Sequence, residues 1–279
     1  MRLVTFKGSE GPRVGIVDGE DIVDIGIGGP DGLLDLIKSG KVNEQAAKQG
    51  KRQKIADTHF LPTIPRSGKF ICVGLNYADH AAEGNNPIPD YPALFVRVNS
   101  SLIGHGEPMI VPKASEKFDY EAELTIVIGK TCRHVSEDEA LDYVFGYTIF
   151  NDGSIRDYQR KSTQWTAGKN FDGTGPLGPW IVTADEVPPG AKGLGIRSIL
   201  NGSQVLQNSN TDNLIFDTAR LVSIISEVMT LEPGDLIATG TPGGVGYPRK
   251  PPIFLKKGDR IAVEIDKIGR LENPVANAA

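Results

Sequence analysis

The chain has 279 residues, enough to bury a substantial core, and this length fits one large domain or a large domain with a small companion. Its 30 Lys and Arg against 35 Asp and Glu give a net charge of -5, which leaves no basic footprint for nucleic acid or for an anionic membrane surface. We therefore expect the binding partner to be a small molecule or another protein.

The amino terminus and the two cysteines indicate a reducing compartment. Residues 1–8 lack the apolar core of a signal peptide, and no run of eighteen apolar residues occurs in the sequence. Cys72 and Cys132 lie in apolar or mixed segments without Cys-x-x-Cys spacing, as is typical of ordinary core thiols. We predict a cytoplasmic protein that does not bind a membrane.

Residues 1–65 are predicted to form a small amino-terminal α/β domain. Short apolar runs predict three strands, at residues 3–6, 14–17 and 22–23. The apolar spacing of residues 33–38 predicts a helix that ends at Gly40. Two prolines within residues 61–65 hold the chain extended there, which is typical of a connector between domains.

Residues 66–279 are predicted to form a second domain dominated by strands. The 33 Gly and 19 Pro are spread along the chain, and this distribution indicates many turns. Short apolar runs bounded by turn residues predict seven strands here, at residues 70–73, 94–98, 124–128, 147–150, 196–200, 236–238 and 261–265.

Turn and helix signals complete the prediction of fold class. Asn201 and Gly202 predict a hairpin, because both central positions of its turn need a positive φ. A capping box from Ser136 to Glu139 opens a short helix, and residues 215–229 have helical apolar spacing. The mixture predicts an α+β, β-rich fold with a curled or sandwiched mixed sheet and peripheral helices.

Three acidic residues precede the apolar run at 124–128, which predicts a buried strand. Side chains two apart on a strand share one face, so we expect Asp119, Glu121 and Glu123 to line up about 6.6 Å apart. Uncompensated carboxylates at this distance repel and take up protons, whereas a hard divalent cation removes the conflict. All-oxygen ligation favours magnesium, manganese or calcium over zinc.

Two other interpretations of these acids stay open on spacing alone. Acidic side chains are also common on strands that face solvent, where they have no further role. A glycosidase uses a pair of carboxylates too, although here both acids lie on one predicted strand rather than on two sides of a cleft, and aromatic residues make up only 7% of the chain.

Asp152 favours the metal site over these alternatives. It follows the predicted strand 147–150 and comes just before a predicted helix start, so its carboxylate could complete a three-carboxylate site. The ordinary alternative for an aspartate in this position is a helix N-cap.

His80 and Glu83 form a candidate general base. Residues three apart on a short helix share one face, so the carboxylate can orient the imidazole and stabilise its charged form. A single histidine on a helix is more often structural, and the chain has four histidines.

Several other enzyme classes lack their signatures. The glycine-rich residues 240–246 are followed by prolines where a dinucleotide-binding fold needs a helix. The Gly-Lys-Asn at 168–170 lacks the Ser or Thr of a P-loop, and neither Gly-x-Ser-x-Gly nor His-Glu-x-x-His occurs. The sequence therefore gives no support to a Rossmann enzyme, a serine hydrolase or a zinc protease.

Five stretches in order resemble the fumarylacetoacetate hydrolase family. They are residues 74–83, the pair Glu121 and Glu123, Asp152 with its following helix, residues 165–172, and residues 233–242. The likeness covers about residues 66 to 275. It implies a mixed β-roll or sandwich domain, commonly a homodimer, preceded by a small amino-terminal domain of variable form.

The resemblance implies a role for each candidate residue. The ligands of a magnesium or manganese ion would be Glu121, Glu123 and Asp152. His80 and Glu83 would activate water on a lid over the substrate, and Lys169 would stabilise developing enolate charge. The substrate contacts would be Arg97, Gln159 and Thr241.

One departure from the family pattern indicates its shorter branch. The long fumarylacetoacetate hydrolases supply an additional acid ligand ahead of the catalytic histidine, where this chain has the apolar residues 71–73. The chain is similar to the acylpyruvase-like and 2-hydroxyhepta-2,4-diene-1,7-dioate isomerase-like branch. That branch includes acylpyruvate hydrolases, oxaloacetate decarboxylases and diketo-acid isomerases.

The expected reaction is metal-dependent cleavage of a carbon-carbon bond in a small 2,4-dioxo acid of the acylpyruvate or fumarylpyruvate type, with pyruvate leaving as its enolate. Decarboxylation of oxaloacetate or tautomerisation of a diketo acid would use the same site on a different bond. A third alternative is a non-catalytic β module that holds structural calcium, but such a module does not need His80, Glu83 or Lys169.

Overall fold

The computed structural model describes residues 1–40, 49–83 and 87–279. The strands in these ranges are β1 (Arg2–Gly8), β2 (Gly11–Asp18), β3 (Asp21–Gly28), β4 (Arg52–Lys54), β5 (Phe70–Gly74), β6 (Ala93–Val96), β7 (Leu102–Ile103), β8 (Met109–Val111), β9 (Phe118–Asp119), β10 (Ala122–Ile128), β11 (Val144–Asn151), β12 (Ser154–Ile155), β13 (Gly175–Thr183), β14 (Gly195–Leu200), β15 (Gln204–Asn210), β16 (Leu236–Ala238), β17 (Arg260–Ile265) and β18 (Gly269–Asn277). The α-helices with described bounds are α1 (Gly32–Ser39), α2 (Ala78–Glu83), α3 (Glu137–Ala140), α4 (Arg156–Gln159), α5 (Thr166–Lys169) and α6 (Thr218–Val228).

The strands form two large sheets and one small ribbon. The larger sheet runs in the order β4-β3-β2-β1-β13-β11-β10-β16-β5-β6, with β7 pairing β13. The second sheet runs β15-β14-β17-β18-β8, and β9 pairs β12 separately. Most pairs are antiparallel, while β16 with β5, β13 with β7 and β18 with β8 are parallel. The predicted α+β, β-rich class with a mixed sheet is confirmed.

The central strand β10 is buried along its whole length and separates two parts of the core. Leu124, Ile126 and Ile128 face the second sheet and α6, where they pack in the same cluster as Ile196. Val127 faces the opposite way, into a cluster that also contains residues of β1 and α1. Burial on both faces explains why this segment is a continuous apolar run rather than an alternating one.

The amino-terminal strands extend the larger sheet directly. Strand β1 pairs antiparallel with β13, so that Arg2 lies opposite Val182 and Leu3 opposite Ile181. Leu3 is fully buried, in the cluster that also contains Val127 of β10. Residues before the predicted connector at 61–65 therefore share a sheet and a core with residues after it. No helix in the described ranges is long and apolar enough to cross a membrane.

Local signals at turns and caps predict this structure well. Gly40 ends α1 in the left-handed conformation, with a φ of 62°. Asn201 and Gly202 both have positive φ in the hairpin between β14 and β15. The capping box of Ser136 and Glu139 is present at α3. Both cysteines are free and buried, as expected for core thiols.

Helix α6 begins three residues later than predicted. Its first turn starts at Thr218, where the Asp217 side chain accepts the N–H of Arg220. The N–H groups of Ile215 and Phe216 are instead bonded to Asn76, which holds these residues out of the helix. The helical apolar spacing continues outside the helix because these residues also face the core.

Strands β13 and β18 were not predicted from the sequence. Both contain glycine and proline, which lower the local strand signal. Pairing partners on either side override that preference: β13 lies between β1 and β11, and β18 lies between β17 and β8. Tertiary pairing is not visible in a local window of sequence.

Candidate metal centre and active-site cleft

The acidic stretch does not form one regular strand, and this corrects the prediction that three of its acids share a face. Strand β9 ends at Asp119 and β10 begins at Ala122, so the chain changes direction between them. The Asp119 carboxylate turns away, accepting N–H groups of Gly246 and Tyr247 at 2.8 and 2.9 Å. Asp119 is therefore a buried structural acid, while Glu121 and Glu123 remain beside each other.

Strand pairing brings Asp152 to these two glutamates. Strands β10 and β11 are antiparallel, so the start of β10 lies beside the end of β11. The N–H of Glu121 bonds to the side chain of Asn151, and the N–H of Asp152 bonds to the Glu121 carbonyl. One carboxylate oxygen from each of Glu121, Glu123 and Asp152 lies within 4.8 Å of the others, and all three residues are buried. Asp152 is not a helix N-cap, since Ile155 holds that position at α4.

Three buried cations surround the acids. Lys169 Nζ lies 2.7 Å from Glu121 and 2.6 Å from Asp152. Arg156 binds Glu121 at 2.7 Å and Asp119 at 2.7 Å. Arg97 binds the other oxygen of Asp152 at 3.0 Å. Four carboxylates and three cationic side chains thus leave one excess negative charge in this cluster.

The excess negative charge falls on Glu123. Its carboxylate accepts the N–H of Gly240 at 3.0 Å, and no cationic side chain among the described residues forms an ion pair with it. Burial, together with the charges of Asp152 and Glu121, raises the pKa of Glu123 well above its usual range. Burial alone would also raise the pKa of Glu121, but Lys169 and Arg156 outweigh it and lower that pKa to about 2.

The residues present fit a divalent cation. The converging donors are all carboxylate oxygens, which suit magnesium, manganese or calcium. Each carboxylate oxygen can accept a second partner, so the bonds from lysine and arginine do not use up the donor capacity. A cation would also give Glu123 the positive partner that the described side chains do not supply. The predicted ligands Glu121, Glu123 and Asp152 are thus brought together.

Lys169 reaches the acids because two short helices approach closely. Gly168, one residue before it in α5, lies against the backbone of Gln159, and a Cβ at Gly168 would come within 2.3 Å of the Gln159 nitrogen. Burial lowers the pKa of Lys169, but Asp152 and Glu121 outweigh this and raise the pKa above its ordinary value. The ammonium therefore stays charged at neutral pH.

His80 and Glu83 lie together at the edge of the same cleft, on α2. His80 Nδ1 is 3.5 Å from Glu83 Oε2, which is contact without hydrogen-bond geometry, and Nδ1 has no hydrogen-bond partner among the described residues. Glu83 also accepts the N–H of Gly244 at 3.0 Å. Catalytic hydrogen bonds are often long in ligand-free structures and shorten when a substrate binds. The structure thus brings the two side chains together at the edge of the cleft.

The cleft has a volume of about 610 Å³, and the carboxylates of Glu121 and Glu123 lie in its wall. Gln159 and Thr241, the predicted substrate contacts, also line it. Thr241 accepts a hydrogen bond from Gln207 at 2.8 Å, and Gln159 accepts one from Arg156 at 2.9 Å.

Arg97 has a different position from the one predicted. Its side chain is fully buried behind Asp152, and it donates to Asp152, to the Gly153 carbonyl and to Thr174. Arg97 is not among the residues that line the cleft. The carboxylate that it binds is therefore one of the protein's own, and its visible role is to hold Asp152.

Sequence reasoning missed Arg156 as a residue of the site. It lines the cleft and joins Asp119 to Glu121, so it fixes the orientation of a candidate metal ligand. A signal was available: a cluster of buried acids requires buried cations, and Arg156 follows Asp152 by four residues. Sequence alone does not tell which arginine is buried.

Comparisons with known proteins agree with this architecture. The family profile described as fumarylacetoacetate (FAA) hydrolase C-terminal matches residues 69–276. An oxaloacetate tautomerase of Xenopus laevis, described as mitochondrial, is 42% identical over 99% of this chain and 90% of its own length.

Two solved structures of other proteins match this chain along its whole length. A fumarylacetoacetate hydrolase from the psychrophilic Exiguobacterium antarcticum is 36% identical with a TM-score of 0.87, over 100% of both chains. A maleylpyruvate hydrolase from Sphingobium sp. SYK-6, solved in complex with manganese(II) and pyruvate, is 33% identical with a TM-score of 0.83, also over 100% of both chains. The chain therefore belongs to the fumarylacetoacetate hydrolase family.

Proposed function

We propose that this protein is a divalent-metal-dependent enzyme that forms the enolate of a small 2-oxo acid, and that tautomerisation of oxaloacetate is its reaction. The observation that carries the enolate chemistry is the convergence of three buried carboxylates beside a charged lysine, at the wall of a cleft that Glu121, Glu123 and Lys169 line. The choice of reaction is supported by the oxaloacetate tautomerase that is 42% identical over nearly the full chain.

The chain's own residues would divide the proton transfer between them. When bound, magnesium or manganese would polarise the 2-oxo group of the substrate and favour the enolate over the ketone. His80, with Glu83 beside it, would take the proton from the carbon next to the 2-oxo group and return it to the oxygen of the enolate, which completes the keto-to-enol conversion. Lys169, which keeps its charge, would stabilise the developing oxyanion.

Hydrolysis of a 2,4-dioxo acid is the second candidate, because the His80 and Glu83 pair is also what the activation of water requires. In this reaction His80 would take its proton from water, which then attacks the distal carbonyl. The maleylpyruvate hydrolase at 33% identity supports it. After the attack by water the carbon-carbon bond would break, and pyruvate would leave as its enolate and take up the proton that His80 holds. Both reactions share the carboxylate site and Lys169, but only hydrolysis breaks a carbon-carbon bond.

The test is a side-by-side assay of one manganese-loaded sample. Enol-to-keto conversion of oxaloacetate and pyruvate release from acetylpyruvate and maleylpyruvate would be followed under identical conditions. We expect the fastest turnover with oxaloacetate and loss of every activity after chelation. Pyruvate release as the dominant activity would replace tautomerisation with hydrolysis, and full activity in chelator would contradict the proposal.

His80→Ala tests the proposed base. We expect the dominant activity to fall by about 100-fold or more while the affinity for Mn²⁺ is retained, because His80 acts on the proton and not on the ion. The matched control is His59→Ala, which removes a half-exposed histidine paired with Glu107 and should leave the rate unchanged. An unaltered rate in His80→Ala would remove His80 from this role.

A further inference from the structure

Arg160 is the one cationic side chain of the cleft wall that has no anionic partner among the residues described. The other two cations there, Arg156 and Lys169, each bind two buried carboxylates. No hydrogen-bond acceptor and no carboxylate of the described chain lies within bonding distance of the Arg160 guanidinium. Its positive charge is therefore available to a ligand.

The position of Arg160 is set by the helix that carries Arg156. Arg160 follows Arg156 by four residues and is the C-cap of α4, so the two side chains start from one side of this short helix. At about 1.5 Å of rise per residue, Arg160 begins roughly 6 Å farther along the helix than Arg156, which touches the candidate metal ligand Glu121. Arg160 thus lies one helical turn away from the carboxylate site, in the wall of the same cleft.

The guanidinium of Arg160 lies on a supported aromatic ring. Its central carbon is 4.3 Å from the ring centroid of Tyr247. The backbone N–H of Tyr247 is bonded to Asp119, which is itself bound to Arg156. A cation held over an aromatic face keeps its charge, and a guanidinium whose N–H groups bind no acceptor in the described chain can bind a carboxylate in a bidentate manner.

The remaining wall of the cleft is apolar near β5 and β6. Trp165 packs edge-on against Phe95 with a centroid distance of 5.5 Å. Gly74 makes room for the indole, since a Cβ there would lie 2.1 Å from it. Phe95, Trp165 and Arg160 all line the cleft, so a ligand that extends from the carboxylate site would meet apolar rings and a cation that has no anionic partner in the described chain.

We propose that Arg160 binds a second, distal carboxylate, so that the preferred substrates are 2-oxo diacids rather than 2-oxo monoacids. This inference rests on the proposed function, because it takes the 2-oxo acid end of the substrate to lie at Glu121, Glu123 and Asp152. It adds a selectivity that the carboxylate site alone does not provide.

The experiment compares diacid and monoacid substrates within one reaction. For tautomerisation the pair is oxaloacetate and phenylpyruvate, and for hydrolysis it is maleylpyruvate and acetylpyruvate. In Arg160→Gln we expect kcat/KM for the diacid to fall about tenfold, mainly through KM, because a binding contact is lost at a partly solvated site. The monoacid should change less than about twofold.

Two further variants separate binding from structural damage. Arg160→Lys should recover part of the diacid activity, since lysine keeps the charge but not the planar fork. Lys161→Gln removes the neighbouring cation, whose Nζ lies over the Tyr158 ring, and should affect neither substrate. Mn²⁺ affinity should be unchanged in all three variants.

Equal losses for diacid and monoacid in Arg160→Gln would overturn the inference, as would a wild-type protein that prefers the monoacid. In either case turnover of the monoacid would leave standing the metal-dependent enolate chemistry on which the proposed function is built. Turnover of neither acid by the metal-loaded wild type would overturn the proposed function, and with it the assignment of Arg160.

Discussion

The buried pair of Arg97 and Asp152 shows how residues outside the cleft define the site. Both side chains are completely buried, and Arg97 occupies the oxygen of Asp152 that Lys169 does not. Removing one member of a buried ion pair leaves an uncompensated charge in a poorly solvated place. Arg97 is thus expected to matter for folding and for the position of Asp152, and not for contact with substrate.

Replacement of Arg97 by methionine tests this assignment. We expect Arg97→Met to lower the free energy of unfolding by about 3–5 kcal/mol, measured by urea denaturation in chelator. The matched control Arg13→Met removes an arginine of β2 that forms a partly exposed ion pair with Asp24 of β3, and should cost less than about 1 kcal/mol. A raised KM with unchanged stability would instead return Arg97 to the role of a substrate contact.

At the residue scale, the sequence predicts which side chains belong to the site better than it predicts which groups these side chains bind. The pattern of the sequence singles out Glu121, Glu123, Asp152 and His80, whereas the role of Lys169 is implied only by the family resemblance. The partners of Asp119 and Arg97 could not be predicted, since each pairing joins segments that are far apart in sequence.

Among the elements, the segment around His105 joins the amino-terminal part of the chain to β18. The His105 ring lies edge-on to Phe60 at 5.1 Å, and its Nδ1 accepts the N–H of Glu272 at 3.0 Å. Burial lowers the pKa of His105 below its ordinary value of 6.5; Glu272 opposes this shift, and Arg260 and Arg270 add to it. The folded state therefore favours the neutral ring.

This arrangement predicts a pH dependence of stability. Below pH 6.5 His105 becomes protonated in the unfolded chain, whereas in the folded chain it stays neutral to a lower pH. The contribution of the neutral ring to the free energy of unfolding is therefore complete above pH 6.5 and is lost as the pH falls. His105→Asn keeps an acceptor near Nδ1 but does not titrate, so its unfolding free energy should decrease less between pH 7 and pH 5 than that of the wild type. Parallel pH profiles for the two proteins would contradict this account.

Elements were predictable where the signal is local. The hairpin at Asn201 and the end of α1 at Gly40 depend on the φ angles of one or two residues, and both were predicted. Strand β13 and the late start of α6 depend on partners elsewhere: β13 on β1 and β11, and α6 on the bonds that Asn76 makes to residues 215 and 216. These features become predictable only when the pairing of the strands is known.

In the molecule as a whole, the core between the sheets positions a charged cluster that would be unstable by itself. Strand β10 is buried on both faces, and the acids lie just before it and at its start, where the apolar core ends. The chain places one more carboxylate than cationic side chains in this cluster, which raises the pKa of Glu123, and a bound cation would balance the extra carboxylate. We expect the affinity for a divalent ion to be the property that this arrangement most directly provides.

The most direct test of divalent-ion binding by this cluster is titration of the ligand-free protein with Mn²⁺. The electron paramagnetic resonance signal of the free ion reports how much Mn²⁺ remains unbound. We predict one tight site per chain in the wild type, an at least 100-fold weaker site in Glu123→Gln, and no change in Glu116→Gln, which removes an exposed acid outside the cluster. Bound Mn²⁺ at 100 times its Kd should add about 2.7 kcal/mol to the free energy of unfolding. Equal Mn²⁺ affinity in wild type and Glu123→Gln would contradict the account.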